Sequence, residues 1–208
     1  WGVYWLPQRY LENGGLTGGW GTISQMMIGI LLLTPISLWR KFRGRSSGLE
    51  IPFVGFLTGS GFICYALSFL LTDVVRALIM FYMIPVWTTI FEIIFLKKRP
   101  GLERVLTLGL ALGGLWIVFS KSNIVPLPQN AGDWLALVGG VLFGGGLIRL
   151  EITKTDGVFP VIFSFFFYGT IFNIFAGYIL KDYLGPVPPA EAFLSMFTFL
   201  VLISVFYF

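Results

Sequence analysis

The chain has 208 residues, 56% of them hydrophobic and 12% charged, with a formal charge of +4 and a mean hydropathy of +0.86. A soluble domain carries about 25% charged residues, so this chain has too few polar groups to cover a water-facing surface, and lipid is the solvent its outside fits. His is absent and Cys64 is the only cysteine, which excludes the usual general base, an intrachain disulfide and a cysteine-built zinc site; no metal and no other cofactor is expected.

Eight apolar runs, bounded by charge, Gly or Pro, follow in order. The first, 1–12, is short and sets Trp1, Trp5, Gln8 and Glu12 on one helical stripe, with Tyr4 at its edge. A Gln there suits a cavity face, and a Trp/Tyr belt at a helix end is the other reading. The second, 20–39, ends in Arg40, Lys41, Arg43 and Arg45. The third, 51–71, carries the pair Gly55/Gly59 and the polar residues Tyr65 and Ser68. Such side chains bond a neighbouring helix or line a cavity.

The fourth run, 74–96, is the richest. Arg76, Met80, Met83 and Trp87 share one stripe at helical spacing. A charge at mid-depth costs about 2.5–3.5 kcal/mol on insertion scales, so it is paired or functional. Arg76 above a thioether and aromatic wall suits an anionic or zwitterionic ligand; pairing with Asp73 or snorkelling to the surface is the alternative. Pro85 removes a backbone donor and predicts a kink. Glu92 is the one carboxylate well inside a full span, a candidate coupling group unless a nearby Lys or Arg pairs with it.

Lys97, Lys98, Arg99 and Arg104 follow this run, and the fifth, 103–119, carries Gly109/Gly113. The sixth, 134–150, has Gly140/Gly144 flanked by Gly139, Gly145 and Gly146, and leads to Arg149 and Lys154. These small-xxx-small pairs predict close helix packing. The seventh, 158–180, holds Tyr168 and Asn173, and the eighth, 193–208, is uncharged. Because the chain starts and stops inside apolar runs, both ends are expected to be cut from a longer protein.

About 20 helical residues cross a ~30 Å hydrocarbon core. No run alternates in polarity as a barrel strand does, and a helix satisfies its own backbone in lipid. Ten of the fourteen basic residues lie after runs two, four and six, whereas the alternate loops hold Lys121 and Lys181. Basic loops favour the cytoplasm, giving eight crossings with the N-terminus inside. The segments 9–19 and 148–160 show a weak internal match at an offset of 142 residues, or five helices. An odd-numbered repeat inverts its second copy.

The stretch 72–119 resembles the EamA-type drug/metabolite transporter family. Arg76-Ala77-Leu78 opens its helix, Tyr82-x-x-Pro85-Val86-Trp87-Thr88 fills the middle, and a Gly-rich helix follows a short basic loop. Residues 1–12 and 132–144 resemble the first helix of each family repeat. The resemblance covers nearly the whole chain, as helices one to eight of ten. One departure is the Glu that many members carry at the cytoplasmic end of helix four: that end reads Phe95-Leu96-Lys97-Lys98 here, with Glu92 about a turn deeper.

The resemblance implies an all-α integral membrane protein, a ten-helix bundle of two inverted five-helix repeats around a central cavity. Residues 1–119 would be the first repeat, 120–132 an extracytoplasmic linker and 133–208 the start of the second. It also implies alternating access and export of metabolites or amino acids across a plasma or inner membrane, and a homodimer is among the expected assemblies. Expected substrate contacts are Trp5, Gln8, Tyr65, Arg76, Met83 and Trp87, with Glu92 for coupling. No Walker, HExxH or GxSxG motif occurs, and the acids are scattered, so no enzyme is expected; the rivals are a membrane scaffold and a lipid-modifying enzyme. The basic residues are accounted for by topology, so nucleic acid is not an expected partner.

Overall fold

The computed structural model describes residues 10–42, 48, 50–122, 127–153 and 157–194, and every regular element among them is helical. In chain order these are α1 (Gly19–Phe42), α2 (Glu50–Leu71), α3 (Val74–Phe81), α4 (Ile84–Phe91), a π-helical turn (Glu92–Leu96), α5 (Leu102–Ser122), α6 (Ala131–Ile152), α7 (Phe159–Ile179) and α8 (Lys181–Leu184). Five stretches are long and apolar enough to cross a membrane: Gly19–Arg40, Glu50–Leu71, Val74–Leu96, Ala131–Ile152 and Phe159–Ile179. They coincide with the expected runs two, three, four, six and seven, and α5 coincides with the fifth. Most of the first run and nearly all of the eighth lie outside the described residues.

Polar side chains inside these helices turn back on their own backbone, which makes them tolerable in lipid. Thr34, Thr58, Ser60 and Thr153 each donate to the carbonyl four residues earlier, at 2.6–2.8 Å. Ser68, expected to reach a neighbour, donates instead to the Tyr65 carbonyl of its own helix at 2.6 Å.

The chain divides into two compact units, residues 1–46 with 166–208 and residues 47–165. In the second unit α6 is the central element. Gly61 of α2 and Gly139 of α6 meet backbone to backbone: a Cβ on Gly61 would lie 2.7 Å from the Gly139 carbonyl oxygen, and one on Gly139 2.6 Å from that of Gly61. Gly146, two helical turns on, packs on the Thr58 side chain of α2, whose methyl carbon a Cβ would approach to 2.5 Å. Another face of α6 receives the fourth span, with Gly140 against the Phe81 carbonyl and Gly144 against Trp87 and Thr88. By contrast, α5 is exposed at most described positions, and Gly109 and Gly113 have nothing within 4 Å. That pair, expected to pack, meets no neighbouring helix among the described residues.

Aromatic rings fill the space between these elements. Tyr65 of α2 stacks on Phe81 of α3 with centroids 4.0 Å apart, and Phe69 meets it edge-on at 4.6 Å. Phe143 of α6 joins the same cluster against Phe81 at 5.7 Å.

The fourth span is interrupted. Tyr82 and Met83 have ψ of 4° and 2°, well away from helical values, and they separate α3 from α4. Pro85 explains the position. It has no N–H for the carbonyl four residues back, that of Phe81, and its ring crowds that oxygen. The kink therefore falls before the proline, and the freed Phe81 carbonyl is the one that faces Gly140. Farther on, the π-helical turn closes at Lys97, whose φ of 53° is left-handed.

In the first unit, Leu11, Leu16 and Ala192 form a small buried cluster with Trp20 packed on it. The ring of Tyr183 lies against Gly19 of α1, where a Cβ would come within 2.4–2.8 Å of it.

Candidate functional site

The charged residue expected to matter most, Arg76, sits in the first turn of α3 and is buried. Its partner is Asp133, three residues into α6 and fully buried, with the Arg76 Nη2 2.5 Å from Oδ2. The guanidinium Nε adds contacts of 3.1 and 3.3 Å to the two carboxylate oxygens. Asp73, the partner expected from sequence, is exposed at the α3 N-cap position and forms no ion pair with Arg76.

Further hydrogen bonds surround this pair. Asp133 accepts from the Thr72 hydroxyl at 2.7 Å and from the Gln129 N–H at 2.9 Å. Arg76 donates to the Leu127 carbonyl at 3.1 Å. Asn130, the N-cap of α6, accepts from the Asp133 N–H at 2.8 Å and donates to Thr72 at 3.0 Å. Position helps as well: a helix N-terminus favours the Asp133 carboxylate. The pair thus ties the first turn of α3 to the first turn of α6 with no lone charge left over.

Around the kink, Tyr65 is buried in its aromatic stack, Met83 is half-buried within the interruption, and Pro85 is exposed at the start of α4. Trp87 is half-buried with its Cβ side against Gly144, and its indole N–H is buried without an acceptor among the described residues. Arg76 and Trp87 stand eleven residues apart, about 16 Å along a helix, so the expected stripe is split between two places. Trp5 and Gln8 lie outside the described residues.

Glu92 is buried and pairs with Arg104 of α5 at 2.7 Å. Arg104 also donates to Thr89 at 3.0 Å and Thr88 at 3.4 Å, while both threonines donate to the Pro85 carbonyl. Kink, π-helical turn and ion pair are therefore linked through two hydroxyls. At the same end, Lys98–Glu151 and Arg149–Glu50 join the fourth span and α2 to α6 as exposed pairs.

Sequence reading did not single out Asp133 or Thr72, and it counted Arg104 only as a topology marker. The spacing Asn130-x-x-Asp133 is a helix-start signature and was the available signal for the α6 terminus. Nothing local pointed from it to Arg76.

Comparison with known proteins adds the family. No curated protein and no solved structure matches the chain. The model of the EamA-like transporter family matches residues 1–120, which take in α1 to α4, the kink and nearly all of α5. Since that match covers more than half of a chain with several membrane-crossing helices, the chain belongs to the EamA-like transporter family and is a multi-pass membrane protein.

Proposed function

We propose that the chain is a secondary transporter that carries a small organic metabolite, an amphipathic carboxylate such as an amino acid, out of the cell by alternating access. The observation that carries this reading is the kinked fourth span with the unpartnered Trp87 N–H beside it. Interrupted helices near mid-membrane are a recurring way for carriers to build a binding site. A buried donor with no internal acceptor suits a group that arrives from outside.

In this reading Tyr65, Met83 and Trp87 contact the solute. Arg76 receives the solute carboxylate only by exchanging it for Asp133. The moving parts are two inverted halves, 1–119 and 133–208, with the N-terminus cytoplasmic. Ion pairs between Arg76 and Asp133 at one end, and Lys98 and Glu151 at the other, would have to part alternately. Glu92, held by Arg104 in the described state, is the candidate coupling carboxylate of this reading.

Single cysteines at 83 and 87 in a Cys64→Ser background test it. A membrane-impermeant thiol reagent added to sealed vesicles should modify both, and a transported solute should slow the reaction. Lack of modification at both, beside a reactive control at exposed Tyr178, would instead mark a scaffold without a pathway.

A further inference from the structure

The first unit holds a polar pair that the transport reading does not use. Along its 21 residues α7 has no charge, yet Thr170 and Asn173, one turn apart on it, are buried at 7% and 0% exposure. Asn173 is firmly oriented. The Tyr183 hydroxyl donates to its Oδ1 at 2.6 Å. Burial raises the Tyr183 phenol to about 12, so it stays protonated and donating throughout the physiological range. The carboxamide oxygen is thereby used, and Nδ2 has no acceptor among the described residues.

Thr170 is the second unusual donor. Thr34, Thr58, Thr89 and Thr153 each return their hydroxyl to the carbonyl four residues back. Thr170 Oγ1 is buried and makes no such bond. A donor without an acceptor in a low-dielectric interior is costly and is retained where something else supplies the acceptor. By helical rise Asn173 lies about 9 Å and Thr170 about 14 Å below the end of α7, so the pair reaches toward the middle of a ~30 Å core.

We propose that Thr170 and Asn173 form a second binding site, for the carbonyl oxygen of an uncharged solute of the primary-amide class. Two donors one turn apart match the two lone pairs of one carbonyl oxygen. A carboxylate is disfavoured because α7 itself supplies no cation, so an anion would lose its water without gaining a counter-charge from this helix. The assignment does not depend on the kinked span, and its test does not read transport.

Thermal unfolding of the full chain in detergent decides it, using nicotinamide, nicotinate and acetamide as probes. Nicotinamide and acetamide should raise the melting temperature by about 3 °C at saturating concentration, and nicotinate should leave it unchanged. Thr170→Val without any probe should melt at or above wild type, since its lost hydroxyl had no partner, and should lose most of the amide shift. Asn173→Leu should lose the amide shift as well. The site is refuted if neither amide shifts the wild type, or if nicotinate shifts it equally. A lower melting point for Thr170→Val alone would also refute it, because the hydroxyl would then have a partner within the protein.

Discussion

Arg76 on α3 and Asp133 on α6 hold each other through a 2.5 Å ion pair, which Thr72, the Gln129 N–H and the Leu127 carbonyl extend with further hydrogen bonds. Removing one partner leaves a buried charge alone, which costs about 3–5 kcal/mol. Asp133→Ala should therefore sharply lower the melting temperature and the yield of folded protein. The double variant Arg76→Met/Asp133→Leu should recover much of that loss, because no charge is then stranded. A double variant as unstable as the single one would show that the pair does more than cancel its own charges.

The pairs at the other end should behave differently. Lys98–Glu151 has side chains 59% and 45% exposed, and exposed pairs contribute about 0–1 kcal/mol. Lys98→Met is expected to leave the melting temperature unchanged within error, at low and high salt alike. Comparing Lys98→Met with Asp133→Ala under one set of conditions checks the contrast directly.

Glycines separate in the same manner. Gly139→Val should force α2 and α6 apart, since its Cβ would lie 2.6 Å from the Gly61 carbonyl oxygen; overpacking of this kind costs about 1–3 kcal/mol or more. Gly113→Ala, with open space around it, should be neutral or slightly stabilising. Unfolding in a graded denaturing detergent would rank the two.

Trp87→Phe keeps an aromatic side chain, though a smaller one, at this half-buried position and deletes an N–H that has no acceptor among the described residues. Removing the unpaired N–H offsets the packing lost with the smaller ring, so stability should change by no more than about 1 kcal/mol, while solute flux in reconstituted vesicles should fall. A fall in both would indicate that the indole is held by the protein itself.

Tyr183 predicts an alkaline limit. Its phenol titrates at about 12 in the folded chain, against an ordinary value of 10.0, because burial disfavours the phenolate. The neutral form is the one the fold favours, so its contribution is complete below pH 10 and is lost as pH climbs through 12. Between those values Tyr183→Phe should lose stability less steeply than wild type, as followed by helical circular dichroism.

The helices were legible because lipid sets their length and hydropathy: the expected run 51–71 corresponds to α2 and 134–150 to α6. Pro85 announced a kink, and its chemistry places the break two to three residues earlier, at Tyr82 and Met83. The glycines of the sixth run announced close packing, which Gly140 and Gly144 provide against the fourth span. Pairings between distant helices were not legible. Asp133 looks like a loop acid at the edge of a span, and only the tertiary fold brings it to Arg76. Glu92 was open to a basic neighbour, but the choice of Arg104 over Lys97 or Lys98 depends on α5 starting beside Thr88 and Thr89.

The distance in sequence between Arg76 and Asp133, 57 positions, also sets a waiting time during synthesis. At about 5–20 residues per second, roughly 3 to 11 s pass after the ribosome adds the arginine before it adds the aspartate. Over that interval the nascent fourth helix carries Arg76 without its buried partner, with only the exposed Asp73 nearby, which favours a shallow, interfacial position until α6 emerges. Insertion of these two helices is thereby a joint event, and a ribosome stalled between them would leave its nascent chain exposed to quality-control proteases.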